Sequence, residues 1–161
     1  MNKNTRNLAY AAVCLALCMI LPIITMRLQS IGNMLSPMHI PVLLAGFLCG
    51  PAYALLVGVL APLLRSLLFG MPPLFPTAAA MCFELLTYGL VSGLLFKMLP
   101  KSKANIYVSL IAAMLGLSGG QFTVAAFIAG AFTNAIPGII LHIVLIPLIV
   151  MALQRAGFIE D

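Results

Sequence analysis

Charged residues are scarce in this chain. Only 7% of its 161 residues are Asp, Glu, Lys or Arg, whereas 63% are hydrophobic, and a soluble domain carries about 25% charged residues. This is too little polar surface to coat a water-soluble globule, so we expect lipid to surround the protein. In lipid the backbone must satisfy its own hydrogen bonds, which leaves helices or a closed barrel.

The alternating segments that are typical of a barrel are lacking as well. Barrel strands alternate apolar and polar residues over about 10 positions, but the apolar runs of this chain are hydrophobic on all sides. The sequence therefore predicts an all-α integral membrane protein. At roughly 20 residues per crossing, the chain has room for at most about six spans.

Signals for metals, nucleotides and catalysis are equally few. The four cysteines lie in apolar runs without a C-x-x-C pair, and we interpret them as small apolar fillers. His39, His142 and the one acid within the apolar runs, Glu84, are too few for a metal site of usual ligand number. There is also no Gly-rich phosphate loop. We expect no enzyme activity, no cofactor, no bound metal and no nucleic acid partner.

Breaker residues divide the chain into six predicted helices, which together form a single transmembrane domain over residues 1–161. The second helix is short and is closed by Gly50-Pro51, a strong breaker pair. The fifth either stops before Ser118–Gln121 or continues through it. The predicted ranges are 7–26, 38–49, 52–69, 77–99, 105–117 or longer, and 137–153.

Basic residues are concentrated on one side of this arrangement. Six helices place both termini on the same side of the membrane, and the other side holds only Arg27 and Arg65. Because cytoplasmic loops carry an excess of Lys and Arg, we expect both termini to be cytoplasmic. The side with the termini holds Lys3, Arg6, Lys97, Lys101, Lys103 and Arg155.

Polar side chains inside the apolar runs are the candidate site, because a charge in hydrocarbon is costly and usually functional. Glu84 lies about 10 Å from the outer end of the fourth helix, and His142 about 12 Å from the outer end of the sixth. Residues at this depth are expected to converge on a polar pocket that opens outward. The predicted substrate-binding residues are Arg65, Glu84, Tyr88, Asn134, His142 and His39.

Purely structural interpretations of these residues compete with a pocket. Glu84 can form an ion pair with Arg65 or with His142. His142 can instead hydrogen-bond a backbone carbonyl, and Arg65 can extend to the outer headgroups. His39 can be an interfacial histidine. These alternatives stay open at the level of the sequence.

Three stretches that hold these residues resemble the S components, or substrate-capture subunits, of energy-coupling factor (ECF) transporters, in the broad riboflavin-type group. They are MHIPVLLAGFLCGP, APLLRSLLFGMPPLFPTAAAMCFELLTYGL and AFIAGAFTNAIPGIILHIVLIPLIVMAL. The resemblance extends over about residues 7–154. It implies a multi-pass protein of a prokaryotic plasma membrane, with six helices and cytoplasmic termini. It also implies high-affinity capture of a vitamin or related micronutrient near the outer side.

The same resemblance implies roles for two further segments. The loop from Arg27 to Pro37, which includes Asn33, would gate the site and complete the crossing that the short second helix leaves unfinished. A small-xxx-small pair on the first helix, Ala12 and Ala16, would dock on a transmembrane coupling subunit. Two cytoplasmic ATPases would then drive uptake.

The substrate and the energy source stay open. Arg65 suits a carboxylate or phosphate, whereas Glu84 and His142 suit hydroxyl, amine or ring nitrogen groups. Pantothenate, a pyridoxine-type compound and riboflavin are all compatible with this set. The alternative function is that of a self-sufficient secondary transporter, in which Glu84 relays protons.

Overall fold

The computed structural model describes residues 2–25, 37–99, 103–115 and 136–159, and the regular elements of these residues are helices. A π-helical turn, Leu74–Ala78, precedes the fourth α-helix. The all-α prediction is confirmed for this part of the chain. The six α-helices are α1 (Lys3–Thr25), α2 (His39–Cys49), α3 (Pro51–Phe69), α4 (Ala79–Met98), α5 (Lys103–Leu115) and α6 (Ile136–Arg155).

Within the described part of the chain, three segments are long and apolar enough to cross a membrane, namely Lys3–Thr25, Pro51–Phe69 and Met81–Met98. The segments His39–Cys49 and Ile140–Arg155 are apolar but shorter. With its 11 residues, α2 is about 17 Å long, little more than half of a hydrocarbon core of about 30 Å. The membrane character is therefore clear, and the number of six crossings stays a prediction.

Glycine and proline set the helix boundaries around α3. Gly50 has a φ of +83°, a backbone conformation that other residues rarely adopt, and Pro51 follows as the first residue of α3. The chain thus turns at the predicted breaker pair. At the other end of α3, Gly70 is left-handed and its N–H donates to the Ser66 carbonyl at 2.9 Å, which is a usual way to end a helix.

Four helix ends differ from the prediction by two residues or more. α5 begins at Lys103 instead of residue 105, and α6 ends at Arg155 instead of residue 153. α1 begins at Lys3, four residues earlier than expected, and the regular part of α4 begins at Ala79 instead of residue 77. The late start of α4 has a local cause. The π-helical turn occupies Leu74–Ala78, with Phe75 extended inside it (φ −131°, ψ 135°) as is usual before a proline, so the regular α-helix begins only after this turn. Whether α5 continues through Ser118–Gln121 lies outside the described residues.

Small residues let α4 approach both α2 and α3 closely. A Cβ added at Gly58 of α3 would lie 2.6 Å from the Leu85 carbonyl oxygen, and one at Gly89 would lie 2.7 Å from that of Ala54. Gly46 of α2 packs in the same way against Ser92. Such close backbone contacts are typical of helix pairs in membranes. They fix how far each helix is shifted along α4.

The two ends of the described chain meet at one end of the bundle. Asn7 Nδ2 donates to the Cys49 carbonyl at 3.4 Å, and the rings of Tyr10 and Phe158 are 6.3 Å apart. We call this the termini end. The opposite end, which carries His39, is called the far end. The side of the membrane that each end faces stays a prediction.

Candidate functional site

A histidine and a glutamate from two parallel helices form the centre of the candidate site. His39 Nε2 and Glu84 Oε1 are 3.2 Å apart. His39 is the first residue of α2, and Glu84 lies in the second turn of α4. The two are 45 residues apart in sequence, and two turns further along the same helix pair Gly46 packs beside Ser92. The glycine contact between α2 and α4 therefore positions the pair.

Two more ring side chains surround His39. The Tyr88 ring centroid is 5.3 Å from that of His39, and the His142 ring is stacked on it at 6.0 Å with an interplanar angle of 26°. Tyr88 follows Glu84 by one helical turn, so both lie on one face of α4. The cluster thus joins α2, α4 and α6. We call His39, Glu84, Tyr88 and His142 the His–Glu cluster.

The cluster is covered unevenly. The His39 and His142 residues are 9% and 3% exposed, whereas the Glu84 side chain is 38% exposed. Among the described residues His39 Nδ1 is buried without a hydrogen-bond partner, and leaving such an atom unsatisfied costs about 1–3 kcal/mol. It accepts or donates according to the tautomer of the ring.

Arg65 contacts a different helix pair. It is 6% exposed; its Nη1 donates to the Met19 carbonyl of α1 at 3.5 Å, and its guanidinium lies 5.7 Å from the centroid of the Phe69 ring. Such burial does not fit the alternative in which Arg65 extends to the headgroups. The contact of Gly58 with Leu85 sets the antiparallel register of α3 on α4. This register places Arg65 about 9 Å beyond Glu84 toward the far end.

The structure thus brings four of the six predicted binding residues together and places Arg65 on the neighbouring helix. Asn134, Arg27 and Asn33 lie outside the described residues, as does the loop expected to complete the crossing. Pro37 lies in the turn just before α2. Substrate binding and gating by these residues remain predictions.

The contact of Glu84 with His39 was not foreseen, since the structural alternative paired Glu84 with Arg65 or His142. Its two residues come from different helices, and their meeting depends on how those helices are offset. A hint was present in the small residues of α2 and α4, Gly46, Gly89 and Gly93, which allow a close approach. The sequence alone did not show which glycines meet.

The remaining predicted features can also be located. Ala12 and Ala16 are exposed on α1, on the face opposite buried Cys14 and Cys18. The cysteines are free. Among the residues that the structure describes, no group of three or more His, Cys, Asp or Glu side chains is placed to hold a metal ion.

Comparison with known proteins identifies one family. The model of the family described as ECF transporter, substrate-specific component, matches residues 6–120. This range is more than two thirds of the chain and includes His39, Arg65, Glu84 and Tyr88. Neither the curated proteins nor the solved structures gave a match. The family consists of transporter components rather than enzymes, and the match gives no support to a self-sufficient transporter. The chain therefore belongs to the substrate-specific components of ECF transporters and is a substrate-specific membrane subunit.

Proposed function

We propose that this subunit captures a small vitamin-like molecule at the His–Glu cluster and delivers it for ATP-driven uptake into a prokaryotic cell. The observation that carries the proposal is the pair of His39 and Glu84 at 3.2 Å inside a bundle of apolar helices. A polar pair in such surroundings is costly and usually functional. The rings of Tyr88 and His142 beside the pair provide flat surfaces for a ligand.

The chemistry of the cluster favours a ring that carries hydroxyl or amine groups. Glu84 is a partly exposed acceptor for the hydrogen bonds that such groups donate. A carboxylate placed beside Glu84 would be repelled by it. An acidic ligand such as pantothenate therefore fits only if its carboxylate extends about 9 Å toward Arg65. A pyridoxine-type compound meets the requirements of the cluster more directly.

Coupling to ATP hydrolysis would run through partner subunits. The exposed Ala12 and Ala16 leave room on α1 for another helix to approach, as small-xxx-small pairs do. A transmembrane coupling subunit would dock there, and two cytoplasmic ATPases would supply the energy. The segment from Arg27 to Pro37 would close over the captured ligand.

Ligand binding tests the assignment of the cluster. Mass spectrometry of small molecules retained by the purified protein names the ligand, and titration calorimetry then compares the wild type with Glu84→Gln. Because hydrogen bonds to charged groups contribute about 1.5–3 kcal/mol, we expect affinity to fall about 10- to 100-fold.

Thr87→Val is the matched control for Glu84→Gln. Thr87 lies one turn from Glu84 but donates its hydroxyl to the Phe83 carbonyl of its own helix at 2.8 Å. This variant should bind as the wild type does. Unchanged affinity in Glu84→Gln, with the protein folded, would remove the cluster from the binding site.

A further inference from the structure

The connection between α3 and α4 has no charged residue. Residues 66–83 read SLLFGMPPLFPTAAAMCF, and their only hydroxyl groups are those of Ser66 and Thr77. The connection between α4 and α5 is different, since residues 97–103 include three lysines. Connecting segments at a water surface are usually polar. The composition of the first connection is instead that of a segment in contact with lipid.

Large apolar side chains cover the surface of this connection. Phe75 is 83% exposed and Phe83, on the outer face of α4, is 72% exposed. Four further side chains, two in the last turn of α3 and two in the connection, are more than half exposed: Leu67, Leu68, Met71 and Leu74. Large apolar side chains are therefore exposed in the last turn of α3, in the connection and on α4. Exposed apolar side chains in such number mark a contact with a membrane or a partner.

The two charged residues that bracket the segment both contact neighbouring helices. Arg65 is buried against the Met19 carbonyl of α1, and Glu84 contacts His39 of α2. Neither lies within residues 67–75, although the Glu84 side chain is 38% exposed. No charge of this segment would therefore resist its entry into lipid.

The backbone of the connection is also suited to lipid, where each unsatisfied polar group is costly. The Gly70 N–H donates to the Ser66 carbonyl, and the Ala78 N–H donates to the Pro73 carbonyl, both at 2.9 Å. Pro72, Pro73 and Pro76 have no N–H to satisfy. The three prolines thus remove three of the donors that a connection of this length would otherwise have to satisfy in lipid.

We propose that residues 67–75 are immersed in the boundary of the bilayer at the far end of the bundle, with the Phe75 side chain among the lipid acyl chains. Lipid is the occupant that the surface favours, because the apolar faces on either side of the connection belong to the two segments Pro51–Phe69 and Met81–Met98 that are fit to span a membrane. The lipid that surrounds these two helices would therefore also cover the connection between them. The inference does not depend on the identity of the ligand.

The absence of tryptophan from the chain gives a direct test. Phe75→Trp introduces a single tryptophan, whose emission is recorded in phosphatidylcholine vesicles with and without brominated acyl chains. We expect blue-shifted emission, strong quenching by the brominated lipid and weak quenching by acrylamide. Phe83→Trp is the lipid-facing reference, and Met98→Trp, next to the lysine-rich connection, is the reference expected to be more open to acrylamide.

Two results would overturn the inference. Strong acrylamide quenching of Phe75→Trp, at the level of N-acetyltryptophanamide in buffer, would place the segment in water. Insensitivity to both quenchers would mean that protein covers it. If Phe75→Trp does not fold, Leu74→Trp reports on the same surface with the same readout and the same criteria.

Discussion

At the scale of single residues, the sequence located the polar groups but could not pair them all. Glu84 and Tyr88 share a face because they are four residues apart on one helix, which periodicity alone shows. The contact of His39 with Glu84 depends on the offset between α2 and α4, which the packing of Gly46 against α4 sets. The hydrogen bond from Arg65 to the Met19 carbonyl likewise depends on the position of α1 in the bundle.

The glycine contacts make a prediction at the same scale. In Gly58→Ala the new methyl group would meet the Leu85 backbone at 2.6 Å, and backbone cannot move aside as a flexible side chain can. We expect a loss of stability of about 1–3 kcal/mol, as for other overpacked sites, measured as a lower midpoint of thermal unfolding in detergent. Because α3 and α4 then shift, ligand affinity should fall too.

Leu56→Ala on the same helix is the control for Gly58→Ala. Leu56 is more than half exposed, so its truncation removes contacts with detergent or lipid rather than with α4. We expect its unfolding midpoint to stay close to that of the wild type. Equal midpoints for Gly58→Ala and the wild type would show that the α3–α4 contact is looser than the structure indicates.

At the scale of helices, boundaries were more predictable than packing. Gly50-Pro51 and Gly70 act locally, so the ends of α2 and α3 could be read from the chain within one residue. The start of α4 could not be read in this way, because a π-helical turn that contains an extended Phe75 precedes it. How each helix is shifted against α4 is a property of side-chain fit between distant segments.

The exposed face of α1 carries the prediction at this scale. Ala12→Leu combined with Ala16→Leu adds bulk where we expect the coupling subunit to approach, while the buried face with Cys14 and Cys18 is unchanged. Association with the coupling subunit, measured by co-purification from membranes, should be lost. Ligand binding by the isolated chain should remain within about two-fold of the wild type, which is less than about 0.5 kcal/mol.

A second double variant controls for added bulk in general. Ala104→Leu with Ala152→Leu makes the same substitution at exposed positions of α5 and α6, and we expect it to co-purify normally. If both double variants assemble, α1 does not provide the docking face. If both fail, extra volume anywhere on the lipid-facing surface disturbs assembly.

At the scale of the whole molecule, composition alone predicted that lipid rather than water surrounds the protein. With 63% hydrophobic residues, only lipid can surround the chain, and the helices long enough to span agree with this. The number of crossings was harder to predict because α2 covers only about 17 Å. The predicted loop from Arg27 to Pro37 would complete its crossing, and a loop has no hydrophobic periodicity from which a crossing could be predicted.

The source of energy is also a property of the whole molecule and can be tested on it. The segments described here are membrane helices and their turns, and the family to which the chain belongs supplies only the substrate-specific component. We therefore expect vesicles that contain this chain alone to bind the ligand without concentrating it, with or without a proton gradient. Adding the coupling subunit and the ATPases, together with ATP, should start accumulation. Accumulation driven by the gradient alone would instead make Glu84 a proton relay, and Glu84→Gln would then abolish transport in the absence of any partner.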